Sequence, residues 1–199
     1  DLAATPVGLL PLGAGAGLAA HLGLPADPAA AARIAVTGRP RRLDLLRSDG
    51  GAGIAVNAVQ IGRIGWTGRP AGGLRRLLRQ PGWPLHVNVD DQLLADGRSR
   101  ILTVVIANGS TIDGRRVIPD ADPADGALDV LVLGPTGRAL AGTGGQPWRL
   151  VRSCCGRAVT VSPAPGVTVP IQVDGQVATL SGRRSWWVEP AAWSVPVPD

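Results

Sequence analysis

The chain opens on an apolar run, Val7 to Leu12, punctuated by Pro11 and followed by Gly13-Ala14-Gly15-Ala16-Gly17. This order predicts a buried strand entering a glycine-rich turn, and the next apolar block predicts a helix through Leu18 to Leu22. Pro28 suits the first turn of a second helix over Ala29 to Val36, closed by Gly38. Together these elements predict a piece of an α/β layer.

After Pro40 the texture changes. Arg42 to Arg47 and Ile54 to Val59 read as strands separated by a glycine turn at 50–53, and residues 72–80 carry a short basic helical pattern. Leu85 to Val89 alternates apolar and polar residues, Ile101 to Ala107 is β-branched, and Leu128 to Leu133 follows an acidic stretch. Val159 to Val161, Val167 to Val173 and Trp186 to Glu189 continue the series. Turns are predicted at Asp96-Gly97, Asp113-Gly114, Pro165-Gly166 and Asp174-Gly175. The expected fold is α+β and mainly β: an antiparallel β-sandwich or barrel-like domain over 41–199, preceded by an α/β segment over 1–40.

Composition narrows the chemistry. The 199 residues are long enough for a real core, with 45% hydrophobic and 18% charged residues, as expected of a globular protein. Lysine, methionine, phenylalanine and tyrosine are absent, so Leu, Val, Ile, Ala and six Trp must build the interior. Trp66, Trp83, Trp148, Trp186, Trp187 and Trp193 are expected mostly in packing roles. The net charge of +5 favours anionic partners. Its arginines come in small groups without interleaved aromatic platforms, so no nucleic-acid partner is expected. Arg75, Arg76 and Arg79 beside Leu74, Leu77 and Leu78 form either a solvated helix face or a basic amphipathic face for an anionic membrane surface.

Cys154 and Cys155 are adjacent, and the expectation is one buried and one exposed thiol in a reducing compartment. The uncharged stretch from Leu2 to Ala26 is broken by Pro6, Pro11 and Pro25, which disfavours a membrane-spanning helix or a signal peptide. A cytoplasmic location is expected, with peripheral membrane attachment as an option. A start without methionine is expected of a processed, trimmed or partial chain.

Residues 119–129, Pro-Asp-Ala-Asp-Pro-Ala-Asp-Gly-Ala-Leu-Asp, concentrate carboxylates, proline and glycine at the mouth of a predicted strand. Such a stretch is either an ordinary polar turn or a holder of a hard cation such as Mg²⁺.

The ordered set Gly8 to Gly15, Arg42-Leu43-Asp44-Leu45, Val56-Asn57-Ala58, Ala107-Asn108-Gly109, Asp125 to Asp129 and Val173-Asp174-Gly175-Gln176 resembles the diacylglycerol kinase, sphingosine kinase and bacterial lipid kinase family. The resemblance runs from about residue 7 to the last strand. It implies that residues 1–40 are the tail of an α/β nucleotide-binding domain, that 41–199 form the lipid-side β-sandwich, and that ATP and Mg²⁺ serve phosphoryl transfer to a lipid hydroxyl. It also implies a further amino-terminal domain carrying the family's Gly-Gly-Asp-Gly-Thr phosphate loop, of which this sequence has no copy.

Carried over by resemblance, the cofactor-binding positions are Gly13, Ala14 and Gly15, with Ala14 where the family has threonine and Ala16-Gly17 where it has Asn-Asp. A structural Mg²⁺ would use the Asp125 carboxylate with backbone oxygens of Asp122 and Ala127. Asp174 and Gln176 occupy the catalytic positions, and Gln176 stands where the family has its general-base glutamate. A neutral amide cannot take the hydroxyl proton, and losing a general base costs about 10²- to 10⁴-fold. The sequence therefore predicts a lipid kinase relative with little activity by itself, or else a non-catalytic module that binds lipid or an anionic membrane surface.

Overall fold

The computed structural model describes residues 5–12, 16–50, 53–63, 82–112, 115–135 and 148–198. Two helices come first, α1 (Ala16–His21) and α2 (Pro28–Thr37). Asp27 caps α2, its carboxylate accepting the Ala30 N–H at 2.8 Å, and Gly38 closes it on the Ile34 carbonyl. Strands follow in the order β1 (Arg39–Ser48), β2 (Ile54–Ala55), β3 (Ala58–Gly62), β4 (Trp83–Val89), β5 (Gln92–Ile101), β6 (Thr103–Ala107) and β7 (Thr111–Ile112). The rest are β8 (Arg115–Arg116), β9 (Leu128–Pro135), β10 (Trp148–Gly156), β11 (Ala158–Pro163), β12 (Val169–Val173), β13 (Gln176–Leu180) and β14 (Arg184–Val197).

Two six-stranded antiparallel sheets stack face to face, one ordered β2-β1-β14-β11-β4-β5 and the other β10-β9-β6-β3-β12-β13. Val87, Val159, Val161 and Trp186 from the first sheet meet Ile61, Ile106, Val130, Val132 and Ile171 from the second in one continuous core. That is the predicted β-sandwich, filled by branched aliphatics and a fully buried tryptophan. A second cluster packs Leu18, Leu22 and Leu24 on Leu43, Leu45, Trp193 and Val195, so the helices share apolar surface with β1 and β14. A third, built from Ala58, Val105, Ala107, Ile112, Ile118 and Ala121, covers the outer face of the second sheet.

Several expectations are corrected. Val7 to Leu12 is not a strand: Val7 reaches the Ser194 carbonyl at 2.8 Å, but Val7, Leu10 and Leu12 are exposed, and Pro11 has no N–H for a ladder. The predicted strand over Ile54 to Val59 is cut in two at Val56-Asn57, whose N–H groups bond a side chain instead of a neighbouring strand. Asp96-Gly97 is not a hairpin loop; it lies inside β5, where Gly97 takes a φ of 77° beside a register shift. The β4–β5 turn is made instead by Asp90-Asp91, with Asp90 at a φ of 47°. Ile101 to Ala107 divides at Leu102, where the chain leaves one sheet for the other.

The Asp174-Gly175 turn forms as predicted, with φ of 45° and 90° and Val173 paired to Gln176. At Pro165-Gly166 the Val167 N–H returns to the Ala164 carbonyl and Gly166 has a φ of 75°, the conformation a Pro-Gly turn selects. Cys154 packs against the core and Cys155 is exposed, as the alternation of a strand requires. Trp186 and Trp193 are buried and Trp187 is half exposed. The predicted helix over 72–80, the turn at Asp113-Gly114 and Trp66 lie outside the described residues.

Candidate functional site

A buried aspartate, Asp44, and a half-buried one, Asp174, organise one end of the sandwich. Asp44 is the residue at which β1 slips register between Leu43 and Leu45, so a polar side chain turns inward where its neighbours are aliphatic. It is only 2% exposed. Its Oδ2 accepts the Gly126 N–H at 2.6 Å and its Oδ1 accepts the Ala191 N–H at 2.8 Å. The Asp44 N–H donates to the Pro123 carbonyl at 2.7 Å. One carboxylate thus ties the acidic turn to two neighbouring strands of the first sheet, β1 and β14. Gly126 and Ala191 both have positive φ, 74° and 50°, the conformations that present those N–H groups.

The Asp44 carbonyl is itself held, by Trp193 Nε1 at 2.9 Å and by Asn108 Nδ2 at 3.0 Å. Asn108 Nδ2 also reaches the Val56 carbonyl at 3.1 Å. Here the second aspartate takes over. Asp174 Oδ2 accepts the Val56 N–H at 2.6 Å, and its Oδ1 accepts those of Asn57 and Ala58 at 3.1 and 2.9 Å. Burial holds the Asp174 carboxyl above its ordinary value, and the three backbone N–H bonds pull it part of the way back. A carboxylate in this role fixes the backbone of residues 56–58.

Asn57 carries the connection to the helical end. Its Nδ2 donates to the Thr111 carbonyl at 2.9 Å, and its own carbonyl accepts the Asn108 N–H at 2.8 Å. The Thr111 carbonyl lies so close to α1 that a Cβ on Gly17 would come within 2.9 Å of it. One residue earlier in β7's approach, Ser110 Oγ meets His21 Nδ1 at 2.7 Å. The glycine at position 17 therefore has a local reason: the helix seats directly on the main chain of β7. An aspartate at this position would require that contact to open.

Asn57, Gln60, Ile112, Gln172, Asp174 and Gly175 line a small depression on the outer face of the second sheet. Gln60 Nε2 donates to Gln172 Oε1 at 3.3 Å, setting two amides side by side on adjacent strands. Gln176 is not part of that lining. It pairs with Val173, which packs toward the core between the sheets, whereas Gln172 and Val177 share the other face. The Gln176 side chain is exposed at the sheet end, two residues from Asp174.

In the acidic turn, Asp122, Asp125 and Ala127 come together as one local unit. The Asp125 N–H reaches the Asp122 carbonyl at 3.3 Å, and Asp125 Oδ1 accepts the Ala127 N–H at 2.9 Å. Asp122 Oδ1 is held by Arg41 at 3.0 Å and by the Ala124 N–H at 3.1 Å. Asp129, at the head of β9, has its carboxyl raised by burial and by the negative charges of Asp125 and Asp120. Among the described residues no three His, Cys, Asp or Glu side chains converge to hold a metal. What the turn offers a cation is one exposed carboxylate, Asp125, with carbonyl oxygens beside it and uncompensated negative charge around it. Those are hard oxygen donors, which suit Mg²⁺ in kind.

Gly13, Ala14 and Gly15 lie outside the described residues. Sequence reasoning found Asp174 and the acidic turn but missed the tie made by Asp44 and Asn108. Both residues stand in the ordered set that carries the resemblance, but nothing in the sequence joins one to the other. No helix among the described residues is long and apolar enough to cross a membrane.

Residues 49–143 match the family model described as the YegS C-terminal NAD kinase beta sandwich-like domain. Comparison with curated proteins gives no match. Among solved structures, a protein of Bacillus anthracis str. Sterne named a diacylglycerol kinase superposes with a TM-score of 0.63 at 16% identity, covering 90% of this chain and 62% of that one. Two more from the same organism, provisionally given the same name, give TM-scores of 0.65 at 17% and 15% identity. They cover 90% and 91% of this chain, and 62% and 65% of theirs. The chain thus spans less than two thirds of the length of these structures, and at this identity the likeness is one of fold.

Proposed function

We propose, from the premise that the carboxy-terminal part of this chain is lipid-kinase-like, that it forms the acceptor side of an ATP-dependent lipid kinase and transfers little phosphate by itself. The observation that carries the reading is the hydrogen-bonded chain from the acidic turn through Asp44, Asn108, Val56 and Asn57 to Asp174. It joins Asp44, Asn57, Asn108, Gly126 and Asp174, drawn from segments up to more than a hundred residues apart, at one end of the sandwich, and this supports the reading.

The chemistry of the present side chains sets the expected rate. Phosphoryl transfer rests on positioning and charge neutralisation, with a base to take the acceptor proton. Position 176 is an amide, and positions 14, 16 and 17 lack the hydroxyl, amide and carboxylate that the family uses toward nucleotide and metal. Mg²⁺, where bound, would be held by Asp125 with the carbonyls of Asp122 and Ala127, and would supply charge that stiffens the turn held by Asp44. Asp174, engaged by three N–H groups, positions the 56–58 segment and is not the base.

The direct test incubates the chain with ATP, Mg²⁺ and vesicles containing diacylglycerol or a sphingoid base. Saturable retention of the acceptor lipid with turnover near background is expected. Vesicle retention that ignores the acceptor lipid and follows only surface charge and salt would favour the non-catalytic membrane-surface reading instead.

A further inference from the structure

Among the described residues, β2 and β5 end the first sheet and β10 and β13 end the second. A free strand edge is a row of unpaired N–H and C=O groups, and proteins blunt it with shortness, charge or a bulge. β2 is only two residues long. β5 carries Asp96, Arg98 and Arg100 and slips register twice against β4. β10 carries Arg149 and Arg152 and slips register between Leu150 and Arg152. β13 has none of these devices. It is uncharged from Gln176 to Leu180, and it pairs with β12 without a break from Val173–Gln176 to Val169–Leu180. Its residues from Gln176 to Thr179 are exposed, Val177 to 69%.

The hairpin turn decides which groups of that edge are free. Asp174 and Gly175, at φ of 45° and 90°, make a two-residue loop, so Val173 and Gln176 exchange both of their backbone bonds. Alternation then directs the polar groups of Ala178 and Leu180 toward β12 and turns the N–H and C=O groups of Val177 and Thr179 outward. Pro170, which has no N–H, stands opposite Thr179, where no bond to β13 is made. The free groups therefore lie symmetrically on either side of Ala178.

We propose that β13 pairs edge to edge with β13 of a second copy of this chain, antiparallel about a two-fold axis at Ala178. Val177 of each copy then lies opposite Thr179 of the other, and each such pair exchanges the N–H···O bonds that the free edge lacks. Val and Thr are both β-branched, a favourable cross-strand pair. Ala178 meets its own counterpart at a non-hydrogen-bonded position, where strands approach most closely and a small side chain fits. Charge selects the same surface. Each copy carries a net +5, yet no formal charge falls between Gly175 and Gly182, so two copies meet there without opposing like charges. Self-pairing of β10 would instead bring arginines beside arginines. One five-residue ladder is smaller than the roughly 1,200 Å² that stable complexes bury, so this dimer is weak and exchanges with monomer. The pairing does not depend on the kinase reading.

The test is sedimentation equilibrium of the whole chain at up to about 1 mM, the weak end of specific association, in reducing buffer so that the exposed Cys155 cannot cross-link copies. A monomer–dimer equilibrium is expected. In the proposed register the two Val177 side chains are diagonal neighbours on one face, within reach of long side chains. Val177→Lys and Val177→Asp should each weaken self-association about tenfold, and an equimolar mixture of the two should restore it. Leu150→Lys, on the opposite edge of the same sheet, should leave it unchanged. A chain that stays monomeric at every concentration overturns the proposal. So does association that survives both Val177 variants, that is lost in Leu150→Lys, or that the mixture fails to restore. Recovery in the mixture also shows that both Val177 variants are folded.

Discussion

The Asp174 carboxylate takes the Asn57 N–H, together with those of the residues on either side, across more than a hundred residues of chain. This relationship converts a hairpin turn into the support of a distant strand junction. It explains why the strand expected over Ile54 to Val59 is interrupted: three consecutive N–H groups there point at one carboxylate and not along a ladder.

Removing that carboxylate should be costly. Asp174→Ala leaves three N–H groups without their acceptor, and buried unsatisfied donors cost about 1–3 kcal/mol each before relaxation and water entry. A loss of roughly 3–5 kcal/mol in urea unfolding is expected, with Asp174→Asn losing less because its amide oxygen still accepts. A change in Asp174→Ala below about 1 kcal/mol would show that the junction is held by the surrounding sheet alone.

The sign of the pH dependence follows from the same group. Asp174 has a folded-state pKa above its unfolded value, because burial outweighs the N–H bonds. The folded state then binds the proton more tightly than the unfolded state does. This contribution is greatest below the unfolded pKa, near 4, and is lost as pH rises through the folded pKa. Comparing urea midpoints of the native chain and Asp174→Asn across that window isolates the term. The difference should grow in disfavour of the native chain as pH rises, and a difference independent of pH would refute the assignment.

Gly109 makes a prediction about packing. A Cβ at this buried position would fall 2.8 Å from Asn57 Oδ1. Gly109→Ala should therefore cost about 1–3 kcal/mol, as overpacking does in a close-packed interior. With Asn57→Ala in the same chain the second change should cost much less, giving a coupling of at least about 0.5 kcal/mol. Additive losses would place the strain elsewhere.

What the sequence made legible follows from which interactions are local. Asp174-Gly175 and Pro165-Gly166 are read directly, because turn conformation depends on two adjacent residues. The sandwich is read from alternation in Leu85 to Val89 and from the β-branched run before Ala107. The edge strands β10 and β13 are missed since their exposed faces carry no apolar period: Gln176, Val177, Ala178 and Thr179 are all exposed. Val7 to Leu12 misleads in the opposite way, being apolar without a strand to pair with. Asp44 and Asn108 are invisible as a pair, because only the folded topology brings the β1 bulge to the loop after β6.

The central claim is that a lipid-kinase-like acceptor scaffold here carries an amide at its base position. The most direct measurement joins this chain, and separately its Gln176→Glu variant, to an intact nucleotide domain and follows ATP-dependent phosphorylation of diacylglycerol. The variant should exceed the unmodified fusion by about 10²-fold or more, the usual worth of a general base. Equal rates for the two fusions, or efficient turnover by the unmodified chain, would contradict the account.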